Sequence, residues 1–434
     1  MFPPFSEEKA ILVLEKIIHL IELGKLDLVQ NARISDERKN QTVMLGALVC
    51  SDACGKEINL VTNSGNAKSL QYADETICEH FILVPSIVPA SEIEAALSEN
   101  DAKIHELTTS GENDSLKRKL CLQSLEKVYA LYHFHCIDGS VRSLREICKV
   151  YNNGKFPPTG TGDCCAPKLL DYAFSHNLKP VSLAEAKMGS PIKTLPPCDS
   201  RCGILLPALL GLRILYRDDS LCVVNKQSGV LSVPGRGEDK QDCIESRFKR
   251  LFGDRVELLQ PAVHRLDMET SGVMILAFTK DAHRALNRQF ELKQVEKEYI
   301  ALLDGVLPRK NIQKHGTMEL FFRLDVDNRP HQIWDEKNGK SAITEWEILG
   351  VEKYKNPQGT LKNVTRVLFK PHTGRTHQLR LASADSHGFG IPIVGDTLYG
   401  KCEAGERLLL HARKVSFVHP VTGERMSIEC DAEF

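Results

Sequence analysis

The hydrophobic pattern in the first half of the chain predicts helices and a few short strands. Residues 6–23 carry apolar side chains at helical spacing, which predicts an amphipathic helix. Short apolar runs at 43–50 and 80–85 are typical of strands. Residues 91–133 are highly charged and favour a solvent-exposed helical hairpin, with an arm that contacts RNA or the ribosome as the alternative. We therefore expect a largely helical N-terminal region.

The second half of the chain changes to short apolar runs separated by turn residues. Residues 213–219 and 221–226 predict a hairpin with an acidic turn. The run at 273–278 is short, apolar and β-branched, which predicts a buried strand. A helix is predicted over 281–292, because its apolar residues share one face, and residues 297–302 alternate as a strand does.

A polar segment before the buried strand carries candidate chemistry. Residues 261–272 place His264, Arg265 and Asp267 ahead of a Thr-Ser-Gly turn. Asp267 is therefore expected at the mouth of a sheet, with the Arg265 cation two residues away. From spacing alone, the simpler interpretation is that Asp267 caps a turn and pairs with Arg265 at the surface, because lone Asp residues near turns are common.

Composition and charge narrow the class of protein. The 434 residues suit two or three domains, and the 42% hydrophobic share is ordinary for a globular protein with a sizeable core. The net charge of −1 excludes a global field that would attract a polyanion. Charges interrupt the N-terminal apolar run, so it predicts neither a signal peptide nor a membrane span, and we expect no membrane association.

One block is basic although the chain as a whole is charge-balanced. Residues 361–380 contain no acidic residue. Their basic and histidine side chains are Lys362, Arg366, Lys370, His372, Arg375, His377 and Arg380. Contact with phosphates requires a local basic stripe of this kind, here with Gly374 at a turn. The pattern therefore predicts a nucleic-acid surface.

The fourteen cysteines are scattered over a long chain. Without a secretory signal, free thiols or a metal site are favoured over a disulfide framework, which predicts a reducing, cytoplasmic compartment. Cys164, Cys165, Cys198 and Cys202 could supply four thiolates to a structural zinc. Their spacing is not the tight Cys-x-x-Cys of a zinc ribbon, so buried or incidental thiols are the alternative.

Three separated motifs resemble the RluA family of pseudouridine synthases. They are His-Arg-Leu-Asp-x-x-Thr-Ser-Gly at 264–272, Lys-x-Tyr at 297–299 and Thr-Gly-Arg-Thr-His-Gln-Leu-Arg at 373–380. The resemblance covers about residues 210–430. It implies that Asp267 is the catalytic residue, that Tyr299 lies against the target base, and that Arg380 forms an ion pair with Asp267.

The resemblance implies an RNA-modifying isomerase that needs no cofactor for catalysis. Such an enzyme breaks the glycosidic bond of a uridine, turns the uracil and rejoins it through carbon 5, without a redox change or a nucleotide cofactor. A target in structured RNA must first be flipped out of its stack. The candidate RNA-binding residues are His264, Arg265, Lys297, Lys370, His372, Arg375 and His377. Ribosomal RNA and transfer RNA are both open as substrates, and we expect a monomer.

Two other classes of protein remain open. A glycosidase would need paired acids, and Glu269 lies near Asp267, but the basic third motif supplies no second acid. A non-catalytic RNA-binding protein or ribosome-assembly factor would be expected to have lost Asp267, Tyr299 or Arg380. The sequence contains neither a His-Glu-x-x-His zinc motif nor a phosphate-binding P-loop.

The predicted architecture is α+β. The catalytic domain is expected to be a mixed, mostly antiparallel sheet of the pseudouridine synthase type with flanking helices, preceded by the largely helical region that helps to choose or hold the RNA. The four predicted parts are an N-terminal α/β segment (1–90), a helical hairpin or arm (91–150), a Cys-containing connector (151–204) and the catalytic domain (205–434).

Overall fold

The chain forms two compact units, Met1–Gly211 and Leu212–Phe434. The computed structural model describes residues 5–30, 43–65, 67–74, 80–110, 114–152, 154–188, 193–196, 198, 200–237, 240–307 and 314–434. No helix within these ranges is long and apolar enough to cross a membrane. Each unit is built around its own sheet.

The N-terminal unit alternates helices with short strands. Its helices are α1 (Glu8–Glu22), α2 (Ala90–Ser110), α3 (Asp114–Leu131), α4 (Leu144–Tyr151), α5 (Cys165–Ser175) and α6 (Cys202–Leu210). Its strands are β1 (Leu26–Gln30), β2 (Val43–Ser51), β3 (Glu57–Gly65), β4 (Ala67–Tyr72), β5 (Ile82–Leu83), β6 (His133–His135), β7 (Val141–Ser143), β8 (Lys179–Lys187) and β9 (Lys193–Thr194).

A five-stranded sheet in the order β5-β3-β2-β8-β9 forms the centre of this unit. Leu45, Ala47 and Val49 of β2 pack with the buried face of α1, whereas Gly46 approaches the start of α5 on the opposite face. The prediction of a largely helical N-terminal region is therefore wrong. The physical reason lies in the partners of β2, which itself matches the strand predicted at 43–50: β3 and β8 bury polar residues such as Asn63 and Glu185, which interrupt the apolar run of a strand.

The C-terminal unit contains a larger sheet and few helices. Its strands are β10 (Arg213–Arg217), β11 (Leu221–Lys226), β12 (Ser271–Ala277), β13 (Glu296–Leu303), β14 (His315–Leu324), β15 (Gln332–Trp334), β16 (Lys340–Lys355), β17 (Leu361–Pro371), β18 (Leu410–Val418) and β19 (Arg425–Glu429). Its helices are α7 (Ile244–Phe252), α8 (Lys280–Glu291) and α9 (Gln378–Ala384).

The ten strands follow the order β10-β11-β12-β18-β13-β17-β16-β14-β15, with β19 on β18. Only the pair β12–β18 among these is parallel, so the mixed, mostly antiparallel sheet with flanking helices is confirmed. Gly272 enters the parallel pair at φ +120°, and a Cβ atom there would lie 2.3 Å from the Ala412 carbonyl oxygen. Only glycine permits this approach, which brings the central motif against β18.

Candidate active site

The loop that carries Asp267 is held by the segment that follows β11. The Ser232 hydroxyl accepts from the Leu266 N–H (2.9 Å) and donates to the Leu266 carbonyl oxygen (2.7 Å). The Gly229 N–H donates to the Met268 carbonyl oxygen at 2.9 Å. Both neighbours of Asp267 are therefore fixed by backbone-directed hydrogen bonds, which limits where the carboxylate can point.

Lys226 secures the same loop and was not among the residues predicted for the site. Its side chain is 0% exposed, and Nζ donates to the carbonyl oxygens of Gln227 (3.0 Å), Val230 (2.6 Å) and Met268 (2.9 Å). Burial lowers the pKa of the Lys226 ammonium to about 7, while the charge of Asp267 acts in the opposite direction. In the sequence, Lys226 ends the strand predicted at 221–226, and a lysine at the end of an apolar strand was the feature that could have identified it.

A cavity of about 540 Å³ opens beside Asp267. The three motif regions line it, through residues 263–270, 290–299 and 371–380, together with Leu410. The Asp267 side chain is half-buried, and its carboxylate forms no hydrogen bond or ion pair with any residue that the structure describes. An acid of this kind is available to a bound ligand rather than used to cap the turn.

Arg380 has other ionic partners than the one predicted for it. Its buried guanidinium donates to Asp396 through Nε (2.9 Å) and Nη2 (2.5 Å), and Nη2 also lies 2.8 Å from Glu269. Burial acts to lower the pKa of Arg380, but its hydrogen bonds to Asp396, with the charges of Asp396, Glu269 and Asp267, raise it. Arg380 therefore forms its ion pairs with Asp396 and Glu269 instead of with Asp267, and the charge of Asp267 acts on Arg380 only over a longer distance.

Asp396 anchors Arg380 because the turn around it is itself ordered. Its Oδ1 accepts from the backbone N–H groups of Leu398 (2.9 Å) and Tyr399 (3.0 Å). The Arg380 guanidinium lies 5.6 Å from the centre of the Tyr399 ring, which adds a cation–π contact. The Gly-Asp-x-x-Tyr spacing at 395–399 was the sequence signal for these missed residues.

Tyr299 lies on β13 and lines the cavity together with Asp267. It pairs in register with Phe369 of β17 and Ala412 of β18. Burial raises the pKa of the Tyr299 hydroxyl, and the charge of Asp267 raises it further. The phenol is therefore neutral and offers a flat aromatic face within the same cavity as the acid.

Two of the predicted RNA-binding histidines, the half-buried His264 and the buried His377, are held by contacts within the domain. His264 Nε2 accepts from the Ile275 N–H at 3.0 Å, and its ring stacks on Phe290 with centroids 4.8 Å apart. Burial lowers the pKa of His264 to about 3, so the ring is neutral near pH 7. His377 hydrogen-bonds through Nδ1 to the Tyr399 hydroxyl (2.8 Å), and burial lowers its pKa as well. Both histidines line the cavity without offering a cation.

The basic stripe is largely neutralised by acids from other segments. The contacts are Lys362 with Asp304 and Glu403, Arg366 with Glu352, Lys370 with Glu298, and His372 with Glu345. Arg375 is exposed, and its Nε donates to the Ser341 carbonyl oxygen at 3.0 Å. Arg265 is also exposed at the cavity, whereas Lys297 is half-buried there and burial lowers its pKa.

In the N-terminal unit, the structure brings together three of the four cysteines considered for zinc. The sulfur atoms of Cys164, Cys198 and Cys202 all lie within 4.8 Å of one another. Cys165 is directed elsewhere, because its Sγ contacts Ser64 Oγ at 3.3 Å.

Comparison with known proteins identifies the C-terminal unit. The family model for RNA pseudouridylate synthase matches residues 220–385, which include Asp267, Tyr299 and Arg380. Over 226 residues, the chain is 41% identical to the dual-specificity RNA pseudouridine synthase RluA of Haemophilus influenzae and 40% identical to that of Escherichia coli. Each match covers 51% of this chain and 94% of the relative. Among solved structures, human RNA pseudouridylate synthase domain containing 1 is 28% identical over 51% of this chain and 84% of its own, with a TM-score of 0.41.

The sequence matches, taken with the mixed sheet and the motif-lined cavity, define an RNA pseudouridine synthase, an isomerase that modifies RNA. Within that class the chain belongs to the RluA family, which confirms the resemblance found in the three motifs.

Proposed function

We propose that this enzyme converts specific uridines of structured RNA, ribosomal or transfer RNA, into pseudouridine at the Asp267 cavity. The observation that carries the proposal is the half-buried Asp267 carboxylate, without a partner among the described residues, facing a cavity of about 540 Å³. That volume is typical of small-molecule sites and accommodates a flipped nucleoside. The matched relatives are described as dual-specificity RNA pseudouridine synthases, which supports an enzyme that accepts more than one RNA.

Asp267 is proposed to act directly on the target nucleoside. A carboxylate can stabilise or trap an electron-poor sugar, or add to the base, and later act on a proton. During the reaction the bond from the sugar to N1 breaks and a bond to carbon 5 forms, while carbon 5 loses a proton and N1 gains one. Arg380 is a positioning residue in this scheme, because it organises Glu269 and Asp396 beside Asp267 and adds positive potential.

Base flipping is proposed to deliver the uridine to the cavity. Unstacking costs a few kcal/mol, and stacking of the flipped base on Tyr299 returns about 1–3 kcal/mol. Arg265 is exposed beside Asp267, so its guanidinium can fill the gap that the base leaves in the RNA. Because most of the basic stripe is paired with acids, the exposed Arg375 in the loop at 371–378 is the proposed phosphate contact. We expect the enzyme to work in the cytoplasm as a monomer, without a nucleotide cofactor.

The test maps pseudouridine across total RNA from cells that lack the gene and are restored with wild type, Asp267→Asn or Asp281→Asn. Asp281 is a matched control, because its carboxylate is exposed on α8 and pairs only locally with Arg284. We expect sites that vanish on deletion to return with wild type and the control, and not with Asp267→Asn. Loss of the direct acid should slow purified enzyme by about 10²–10⁴-fold.

Full activity of Asp267→Asn would contradict the catalytic assignment. If no site changed on deletion, the alternative would be an RNA-binding or assembly role, and pull-down of RNA with the full chain would follow.

A further inference from the structure

A cluster of three thiols lies in the N-terminal unit, far in sequence from Asp267. The Sγ atoms of Cys164, Cys198 and Cys202 all lie within 4.8 Å of one another. Cys202 is buried, Cys164 is half-buried and Cys198 is exposed. The cluster therefore spans the boundary between core and solvent, and it combines residues that only the fold brings together.

The beginnings of two helices place these thiols. Cys164 is the N-cap residue of α5, and Cys202 is the first residue of α6. The free N–H groups and the dipole at a helix N-terminus favour negative charge. The two helix N-termini thus favour negative charge at Cys164 and Cys202, and thiolate is the form of cysteine that binds metal.

The loop that leads into Cys164 is closely packed. Gly162 adopts φ +109°, and a Cβ atom there would lie 2.4 Å from the Tyr132 ring. The Tyr132 hydroxyl donates to Asp163 Oδ1 at 3.0 Å. At the start of α5, the Ala166 N–H donates to the buried Glu185 carboxylate of β8 at 2.7 Å. These contacts hold the segment that carries Cys164 in place.

Cys165 is excluded from the cluster by its packing against the sheet. Its Sγ contacts Ser64 Oγ (3.3 Å) and the Met44 carbonyl oxygen (3.7 Å). Gly46 makes room for it, since a Cβ atom there would lie 2.4 Å from the Cys165 Cβ atom. The four-thiolate site considered from the sequence is therefore reduced to three ligands.

We propose that Cys164, Cys198 and Cys202 bind one Zn²⁺ through three thiolates. Zinc–sulfur bonds of about 2.3 Å in a tetrahedron place sulfur atoms about 3.8 Å apart, so separations within 4.8 Å need a contraction of at most about 1 Å. The fourth position is open to water, because Cys198 is exposed. Each thiol gives its proton to the buffer as the ion binds.

A disulfide is the competing chemistry for such a cluster. Joining two of the sulfurs would bring them to about 2.05 Å, would transfer two electrons to an external oxidant and would leave the third thiol unused. A zinc ion uses all three thiols and the N–H donors around them without a redox partner. The convergence of three thiols, rather than two, favours the metal.

The experiment measures metal in the full-length protein, purified without chelators in a non-thiol reductant. Mass spectrometry of the elements should find about one zinc ion per chain in wild type. Cobalt(II), added to zinc-stripped protein, should give thiolate-to-cobalt charge-transfer absorption and the strong visible bands of a tetrahedral site. Cys198→Ser should weaken zinc affinity by more than about 100-fold, since even an outer-shell partner contributes 10–100-fold.

Cys54→Ser and Cys121→Ser are matched controls, because both cysteines are exposed in the same unit and lie outside the cluster. Both should retain the zinc of wild type. Cys198 is itself exposed, so its serine variant should fold, and circular dichroism checks this. The proposal would be overturned if wild type contained no zinc and gave no cobalt spectrum. It would also be overturned if Cys198→Ser bound zinc as tightly as wild type, or if freshly isolated protein contained a disulfide within the cluster.

Discussion

Replacing Asp396 by Asn tests how Arg380 is held in the active site. Arg380 and Asp396 are 2% and 0% exposed, and two hydrogen bonds join them. Removing one partner of a buried ion pair costs about 3–5 kcal/mol, because the other charge stays buried without compensation. Glu269, at 2.8 Å, still offsets part of the Arg380 charge. We therefore expect a cost near the lower limit, about 3 kcal/mol, or roughly 150-fold in the local opening equilibrium.

Amide hydrogen exchange in the full-length chain is the assay for this cost. Peptides that cover α9 (Gln378–Ala384), which carries Arg380, should exchange faster in Asp396→Asn by about the predicted factor. Peptides of the N-terminal unit provide an internal reference, because the substitution lies outside that unit. Pseudouridine formation should fall as well, since Arg380 no longer keeps its position beside Asp267.

Glu269→Gln is the matched control for the same guanidinium. Glu269 is half-buried and accepts from the Thr397 hydroxyl at 2.6 Å, a contact that Gln can keep. The partly exposed ion pair should contribute about 1 kcal/mol or less. If Glu269→Gln accelerated exchange as much as Asp396→Asn, or if Asp396→Asn left exchange in α9 unchanged, Asp396 would not be the anchor of Arg380.

Three further predictions follow from single contacts. Burial sets the pKa of His264 at about 3 in the folded protein against an ordinary 6.5, so the unfolded chain binds more protons between these values. The free energy of unfolding should therefore fall by a few kcal/mol as the pH drops through this window. Denaturant titrations at several pH values should show that the free energy of unfolding depends less steeply on pH in His264→Gln than in wild type. The same pH dependence in both proteins would contradict the prediction. Gly272→Ala should destabilise the C-terminal unit by about 3 kcal/mol or more, because the added Cβ atom would lie 2.3 Å from the β18 backbone. Gly423→Ala is the control and should cost about 1 kcal/mol, because there is open space around this glycine. Equal melting temperatures for the two variants would contradict this prediction. Arg375→Ala should weaken RNA binding and reduce the slope of log affinity against log salt by about 1, because an exposed phosphate contact is lost, whereas the paired Lys370→Ala should change the slope less. An unchanged slope in Arg375→Ala would argue against phosphate contact.

Local patterns were sufficient to predict the elements around the active site. The buried strand expected at 273–278 is β12, Ser271–Ala277, and the helix expected at 281–292 is α8, Lys280–Glu291. Periodic burial is a short-range property, so a window of about ten residues contains its whole signal. The three motifs likewise predicted the family and the enzyme class, because the chemistry of the reaction restricts which side chains can occupy those positions.

The N-terminal sheet could not be predicted in the same way. β2 pairs with β3 and with β8, a strand more than a hundred residues later in the chain. The apolar run of β2 was predicted as a strand, but β3 and β8 bury polar residues such as Asn63 and Glu185, so their sequences lack the pattern of a strand. The three-thiol cluster could not be predicted from the sequence either, because only the packing of α5 on the sheet directs Cys165 away from Cys164.

By itself, the sequence determined the strands and the helix around the active site, the motif that carries Asp267 and the enzyme class. Only the tertiary structure decided which charges meet: Arg380 binds Asp396 and Glu269, and the basic stripe is paired with acids from other segments. The physical reason is the separation along the chain over which each kind of interaction acts. Strand and helix periods are set by neighbours within a few residues, whereas an ion pair depends on the register of strands and loops that are distant in the chain.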